Sequence, residues 1–140
     1  MTQMSAEQID TFLQVTRIAT LVSLHADGAP TAVPVWFEWD GRKARVFTDV
    51  GSEKVRRIRA DGRVSLSVAE PVGAQEAWVT IEGTASIEAE GGIELARRLV
   101  PRYYSAERAA KALPQWEQVA DQWVVVSITP RRIRSMAPEA

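Results

Sequence analysis

Apolar and polar residues alternate with a period of two along most of the chain, and this pattern predicts a protein built mainly of β-strands. Six segments show it, at residues 18–25, 31–39, 43–48, 63–70, 76–90 and 123–129. Asp27-Gly28 and Asp40-Gly41 separate the first three segments and predict tight hairpin turns. Gly83 interrupts the longest segment and predicts a bulge or bend there. Pro130 follows the last strand, which we therefore expect to give way to a short extended tail.

Three segments carry the period of a helix instead. Ser5 and Gln8 form a capping-box pattern that opens a short amphipathic helix. A second helix is predicted over residues 52–61, with Ser52 as its N-cap and with Val55 and Ile58 facing inward. The stretch from residue 92 to about residue 113 is predicted to be helical and interrupted at Pro101.

The order of these elements predicts the fold class. Six strands with only short helices between them favour a closed or nearly closed antiparallel barrel, in which closure protects the sheet edges. The helices are too few for a doubly wound parallel sheet. At 140 residues, the chain is expected to form a single domain over residues 1–140.

Composition excludes several functional classes. The formal net charge of −1 gives no overall attraction for nucleic acid or an anionic membrane. The chain has no cysteine, which excludes disulfides and thiolate metal sites, and its single histidine, His25, leaves no histidine-based metal cluster or triad. No apolar stretch approaches the ~20 residues that span a bilayer, and the N-terminus lacks a secretory pattern. We therefore expect a cytoplasmic protein.

The segment from Lys54 to Arg63 is unusually basic, with five cations in ten residues. It opens at a helix N-terminus, whose free N–H groups and partial positive charge suit a phosphate. Ser52 and Lys54 would complete such an anion site, with Arg57 one turn further along. The alternative interpretation is a solvated helix face opposite the apolar residues. A nucleic-acid patch is less favoured because no aromatic residues are interleaved.

The strand segment VPVWFEW also carries candidate residues. Alternation places Val33 and Val35 on one face and Pro34 and Trp36 on the other. A proline inside a strand indicates a sheet edge. Trp36 either flanks a planar ring or packs at a contact, and the remaining tryptophans are expected to pack. No paired acid and base is evident, so no catalytic residue is assigned.

Four blocks of the sequence together resemble a known family. They are ATLVSLHADGAPTAVPVWFEWDG, VFTDVGSEKVRRIRADGRVSLSV, VTIEGTASI and WVVVSITPRRIRS, in that order. They are similar to the pyridoxamine 5′-phosphate oxidase-like superfamily, and more narrowly to its small flavin/deazaflavin oxidoreductase branch. The likeness covers about residues 9–135. It implies a six-stranded antiparallel split β-barrel with short flanking helices.

The resemblance also implies a cofactor site at the interface of a homodimer. In that family, the cofactor phosphate is held by the positions of Thr48, Ser52, Lys54 and Arg57. The cofactor ring lies along the strand positions of Val33, Pro34, Val35 and Trp36. Many relatives carry Asn or Gln where Arg57 stands.

The implied function is an oxidoreductase that acts on a small unsaturated or planar organic substrate. Coenzyme F420 is favoured over FMN, because the Ala- and Arg-rich composition indicates a high-GC organism, in which the deazaflavin is more common. Arg56, Arg59 and Arg63 are candidate partners for its acidic tail. The alternative is a non-catalytic carrier of flavin, deazaflavin or haem. Pyridoxamine phosphate oxidation is less favoured, because the C-terminal residues RSMAPEA lack the arginine- and histidine-bearing stretch of those oxidases.

Overall fold

The computed structural model describes residues 1–139, in which seven antiparallel strands form one curled sheet. The mainly β, antiparallel prediction is confirmed, with seven strands in place of six. The strands are β1 (Ala19–Leu24), β2 (Pro30–Val35), β3 (Glu38–Trp39), β4 (Ala44–Asp49), β5 (Arg63–Ala69), β6 (Trp78–Glu88) and β7 (Trp123–Met136). Their order across the sheet is β2-β1-β5-β6-β7-β4-β3.

Four α-helices flank the sheet, namely α1 (Ala6–Gln14), α2 (Glu53–Ala60), α3 (Gly92–Tyr103) and α4 (Ala106–Glu117). The predicted capping box opens α1, because Gln8 N–H donates to Ser5 Oγ and Ser5 N–H donates to Gln8 Oε1. Helix α2 lies within one residue of its predicted bounds and buries Val55 and Ile58. Both expectations are confirmed.

The predicted strand over residues 31–39 is wrong as a single element. It divides into β2 and β3, which lie at opposite edges of the sheet. β2 pairs with β1, whereas β3 pairs with β4, so the chain leaves one ladder and joins another at Trp36 and Phe37. Two residues span only a short distance, so the sheet must curl until its two edges nearly meet. This break is the seam of the barrel, and it places Pro34 in an edge strand, as predicted.

The longest strand pair, β6 with β7, contains both a confirmed expectation and a correction. The ladder shifts register between Glu82 and Gly83, which confirms a bulge at that glycine. The predicted end of the last strand at Pro130 is wrong, because β7 continues through it to Met136. Pro130 lies opposite Gly83, where the shifted register leaves room for a residue without an N–H group.

The predicted helical interruption at Pro101 is also wrong. Pro101 lies inside the last turn of α3, where the loss of one hydrogen bond costs little because the helix ends shortly afterwards. The break comes at Tyr104, whose backbone is extended. Ser105 then opens α4 by accepting a hydrogen bond from Arg108 N–H.

The buried apolar residues form two clusters, which lie on opposite faces of the sheet. The barrel interior holds the larger one, including Leu21, Leu66 and Ile81, all essentially inaccessible to solvent. The smaller one lies outside the barrel, where α3 packs Leu95 and Leu99 against β7. This second cluster fixes the α3–α4 pair beside β4 and the barrel seam.

Candidate functional site

A pocket of about 390 Å³ lies where the end of β4, the start of α2 and the barrel seam come together. The α3–α4 pair closes one side of it. Its lining residues are Pro34, Val35, Trp36, Val46, Phe47, Thr48, Asp49, Lys54, Tyr104, Trp116 and Trp123. One end of this seam pocket is polar and the other is aromatic.

Two hydroxyl groups lie at the polar end, and they belong to Thr48 near the end of β4 and to Ser52 just before α2. Thr48 is buried and donates a hydrogen bond from Oγ1 to Ser52 Oγ, at 3.3 Å. Ser52 has the backbone conformation of an N-cap, as expected, but its hydroxyl does not bond to an α2 amide. The N–H groups of the first turn of α2 therefore lack a side-chain cap, and free donors at a helix N-terminus suit an anion.

Lys54 is half-buried in the first turn of α2. Burial and the nearby positive charge of Arg57 lower the pKa of Lys54 from its ordinary value of 10.5. Within residues 1–139, no carboxylate forms an ion pair with either cation. Asp49 lines the pocket, but its Oδ1 accepts a hydrogen bond from Gly51 N–H at 2.7 Å. Two neighbouring cations without a counter-ion favour the binding of an anion.

The structure brings most of the predicted site residues together. Pro34, Val35, Trp36, Thr48 and Lys54 all line the seam pocket. A sixth, the hydroxyl of Ser52, is joined to the pocket wall by its hydrogen bond with the buried threonine. Five of these positions therefore line one pocket, and Ser52 is linked to that lining through Thr48.

Two predicted residues lie outside this pocket. Val33 is half-buried against the barrel core. Arg57 turns toward β1, where its Nε donates to Ser23 Oγ at 3.0 Å, and it lines a separate cavity of about 590 Å³ beside His25. Arg57 therefore acts on the pocket through its charge on Lys54 rather than by lining the pocket wall.

Six half-buried aromatic rings lie at the other end of the site, and all of them except Tyr103 line the pocket. They contact one another with centroids 4.7–6.4 Å apart, and the set, called the aromatic cluster below, is Trp36, Phe47, Tyr103, Tyr104, Trp116 and Trp123. Rings in such offset and edge-on arrangements give a stiff apolar wall that suits a flat ligand.

Sequence reasoning assigned only Trp36 to the site and missed the rest of the aromatic lining. Trp116 and Trp123 do pack, as expected, but they also line the pocket. The missed signal was the density of aromatic residues between positions 103 and 123, on both sides of α4. That segment reaches the site only because α3 docks against β7 and turns α4 over β4.

The described residues 1–139 contain neither a side-chain cluster for a metal ion nor a membrane-spanning helix. No group of three or more His, Asp or Glu side chains there is arranged to hold a metal ion. No helix in that range has the length and apolarity needed to cross a bilayer.

An antiparallel sheet of seven strands, curled so that its edges meet at a break between consecutive strands, defines the class of split β-barrel proteins. The chain belongs to the pyridoxamine 5′-phosphate oxidase family, whose profile matches residues 5–137. The resemblance inferred from the sequence is thereby confirmed. No curated protein sequence matches the chain significantly.

Several solved structures share this fold. The conserved hypothetical protein Rv2991 from Mycobacterium tuberculosis is 28% identical, with a TM-score of 0.76 over 98% of this chain and 91% of that one. A haem-binding protein from Mycobacterium smegmatis is 25% identical, with a TM-score of 0.66 over 97% of this chain and 55% of that one. An F420 reductase shares the fold at 21% identity, with a TM-score of 0.69 over 89% of this chain and 94% of that one.

Proposed function

We propose that this protein is an oxidoreductase that binds coenzyme F420, or alternatively FMN, in the seam pocket. It would transfer hydride or electrons between that cofactor and a small planar or unsaturated organic substrate. The observation that carries this proposal is the half-buried ammonium of Lys54, which has no carboxylate partner within residues 1–139 and shares one pocket with the aromatic cluster. A cationic end and an aromatic end match a ligand with a phosphate and a flat ring.

At the polar end, Lys54 and Thr48 would contact the phosphate. The uncapped amides of α2 add donors and the favourable end of the helix dipole. Ser52 would orient the threonine hydroxyl through their hydrogen bond. Arg57 would raise the positive potential of the site without contacting the phosphate, because its side chain is hydrogen-bonded to Ser23 outside the pocket.

At the aromatic end, Pro34, Val35 and Trp36 would flank the ring, and Val33 would support them from the core side. F420 and FMN both supply a tricyclic ring that accepts and donates reducing equivalents. The protein would hold that ring in a fixed orientation and keep water from one side with its aromatic residues. This division of labour requires no protein nucleophile or metal.

The α2 surface bears on the choice between the two cofactors. Arg56 forms an ion pair with Glu53, and Arg63 forms one with Asp61. Arg59 is exposed and has no such partner within the described chain, so it is the best of the three predicted contacts for an acidic tail. We propose F420 as the first candidate, in keeping with the fold shared with an F420 reductase.

The protein is expected to be a homodimer whose interface covers the seam pocket. Two exposed apolar residues neighbour pocket residues along the chain or across a strand pair. Ile18 precedes Ala19, which pairs with Val35, and Val50 follows the pocket residue Asp49. Apolar side chains grouped at a pocket rim are typical of a contact surface. Sedimentation at micromolar concentration should give twice the protomer mass of 15.5 kDa, and a pure monomer would rule this interface out.

Phosphate binding should depend on the protonation of Lys54. Because burial and Arg57 lower its pKa in the free protein, the affinity for FMN should begin to fall at a lower pH than for an ordinary lysine. Lys54→Arg keeps its charge throughout that range and should abolish this pH dependence. Dissociation constants of both proteins from neutral to alkaline pH would check this. Parallel pH profiles for the two would show that Lys54 does not contact the phosphate.

Turnover separates the oxidoreductase from a carrier. The protein would be loaded anaerobically with reduced F420 or reduced FMN and mixed with a quinone or an enone, and cofactor oxidation would be followed by absorbance. An oxidoreductase should oxidise the bound cofactor faster than the free cofactor reacts with the same acceptor. A carrier should bind the cofactor and leave that rate unchanged or slower. Binding of haem in preference to both cofactors would favour the haem-carrier alternative, which the similarity to a haem-binding protein keeps open.

A further inference from the structure

Tyr103, the last residue of α3, connects two distant parts of the chain at the barrel seam. Its phenol donates a hydrogen bond to the carbonyl oxygen of Arg17, at 2.7 Å. The phenol oxygen of Tyr103 in turn accepts a hydrogen bond from Phe37 N–H, at 3.4 Å. Arg17 belongs to the link between α1 and β1, and Phe37 lies in the break between β2 and β3. One hydroxyl therefore fixes the break against the start of the barrel.

The ring of Tyr103 also sets the orientation of Trp36. The two rings are parallel within 5°, with centroids 4.7 Å apart, and Tyr104 meets Trp36 edge-on at 4.8 Å. Trp36 is thus held from two directions by consecutive residues. Burial is the largest influence on the Tyr103 phenol and raises its pKa, so the phenol stays protonated and able to donate.

We propose that Tyr103 is a positioning residue that holds Trp36 and the seam backbone in the conformation that receives the cofactor ring. The inference rests on the proposed function. Between β2 and β3, Trp36 and Phe37 lack ladder partners, so their backbone would otherwise sample several conformations. Fixing them before the ligand arrives removes an ordering cost from binding, and this is how preorganisation raises affinity.

Tyr103→Phe tests the proposal, because it keeps the stacked ring and removes only the hydroxyl. Two measurements are made on the variant. In the cofactor-free protein, amide exchange at Phe37 should become faster by about tenfold, the effect of one lost hydrogen bond. The dissociation constants for FMN and F420 should rise by about five- to tenfold. Tyr103→Leu also removes the ring stack and should weaken binding by a further few-fold.

Two neighbouring variants serve as matched controls. Tyr104→Phe removes a phenol hydroxyl that forms no hydrogen bond within residues 1–139, so it should leave amide exchange at Phe37 in the cofactor-free protein unchanged. Ser105→Ala removes the N-cap of α4 and destabilises the fold without touching the seam. It should lower the unfolding midpoint and leave the dissociation constants unchanged. This separates positioning from a general loss of stability.

The outcomes distinguish this inference from the function on which it rests. If Phe37 exchange accelerates in Tyr103→Phe but both cofactors bind as tightly as to wild type, Tyr103 is structural and the positioning role is wrong while the site stands. Equal weakening by Ser105→Ala would also overturn that role. If wild type binds neither cofactor, the proposed function fails and the inference fails with it. Tyr103 and Lys54 act at opposite ends of the pocket. The binding free energies lost in Tyr103→Phe and in Lys54→Ala should therefore add in the double variant.

Discussion

Replacing Lys54 with alanine should weaken the binding of FMN and of F420 by about 10- to 150-fold. A charge-assisted hydrogen bond to a phosphate contributes about 1.5–3 kcal/mol, and each 1.4 kcal/mol is about a tenfold change in affinity. The free energy of unfolding of the cofactor-free protein should not fall, because Lys54 has no ion-pair partner in the described chain and its burial disfavours the charge. Fluorescence titration and urea unfolding measure the two quantities.

Arg59→Ala is the matched control. Arg59 lies on the same helix, five residues further and about 140° around its axis from Lys54, and its side chain is exposed. Its loss should leave FMN binding unchanged and weaken only a deazaflavin with a long acidic tail. If Lys54→Ala binds FMN as tightly as wild type does, the basic segment is a solvated helix face and the phosphate site is wrong.

Gly83→Ala should cause a large loss of stability. A Cβ on Gly83 would lie 2.1 Å from the carbonyl oxygen of Thr129 and 3.1 Å from Cα of Pro130. Both neighbours are backbone atoms of β7, so no side-chain rotation relieves the clash and the central strand pair must shift. We expect a loss of about 3 kcal/mol in the free energy of unfolding, measured by urea denaturation.

Gly51→Ala adds the same methyl group in a tolerant place. The nearest atom to its Cβ is Asp49 Oδ1 at 3.2 Å, the end of a side chain that can move. Its expected cost is below about 1 kcal/mol. A loss at Gly83 no greater than that at Gly51 would show that the bulge between β6 and β7 does not require glycine.

Local signals in the sequence were sufficient for the hairpins, the bulge and α2. Gly28 and Gly41 have φ of 87° and 94°, values that glycine adopts without strain. An Asp-Gly pair between two β segments is therefore enough to predict each turn. Likewise, α2 follows from Val55 and Ile58 at helical spacing. In each case, the information lies within a few residues of the element.

The seam, by contrast, depends on pairing across the whole barrel. The alternation of residues 31–39 continues unbroken through Trp36 and Phe37. No residue in this segment indicates that β2 pairs with β1 while β3 pairs with β4. Pro130 similarly predicts the end of a strand, but β7 continues through it. The bulge that accommodates this proline lies about 47 positions earlier in the sequence, at Gly83, so the sequence around Pro130 does not reveal it.

The residues of the candidate site also divide into those with a local sequence signal and those brought together only by the tertiary fold. Thr48 and Lys54 were predictable because a strand end followed by a helix start brings them together locally. The aromatic lining from Tyr104, Trp116 and Trp123 was not, since it forms only when α3 and α4 dock beside β4. Helical spacing and the resemblance both predict Arg57 in the site, but its side chain hydrogen-bonds to Ser23 on β1, a contact that spans 34 positions of sequence.

The central claim is that the seam pocket binds a flavin-type cofactor through a phosphate at Lys54. The most direct test is to titrate purified wild-type protein and the Lys54→Ala variant with F420 and with FMN, following the visible absorbance of the cofactor. Wild type should give a saturable spectral change with one cofactor per protomer, and the titration curve of the variant should be displaced to higher cofactor concentration by at least about tenfold. No saturable change with either cofactor, or superimposable curves for the two proteins, would contradict it.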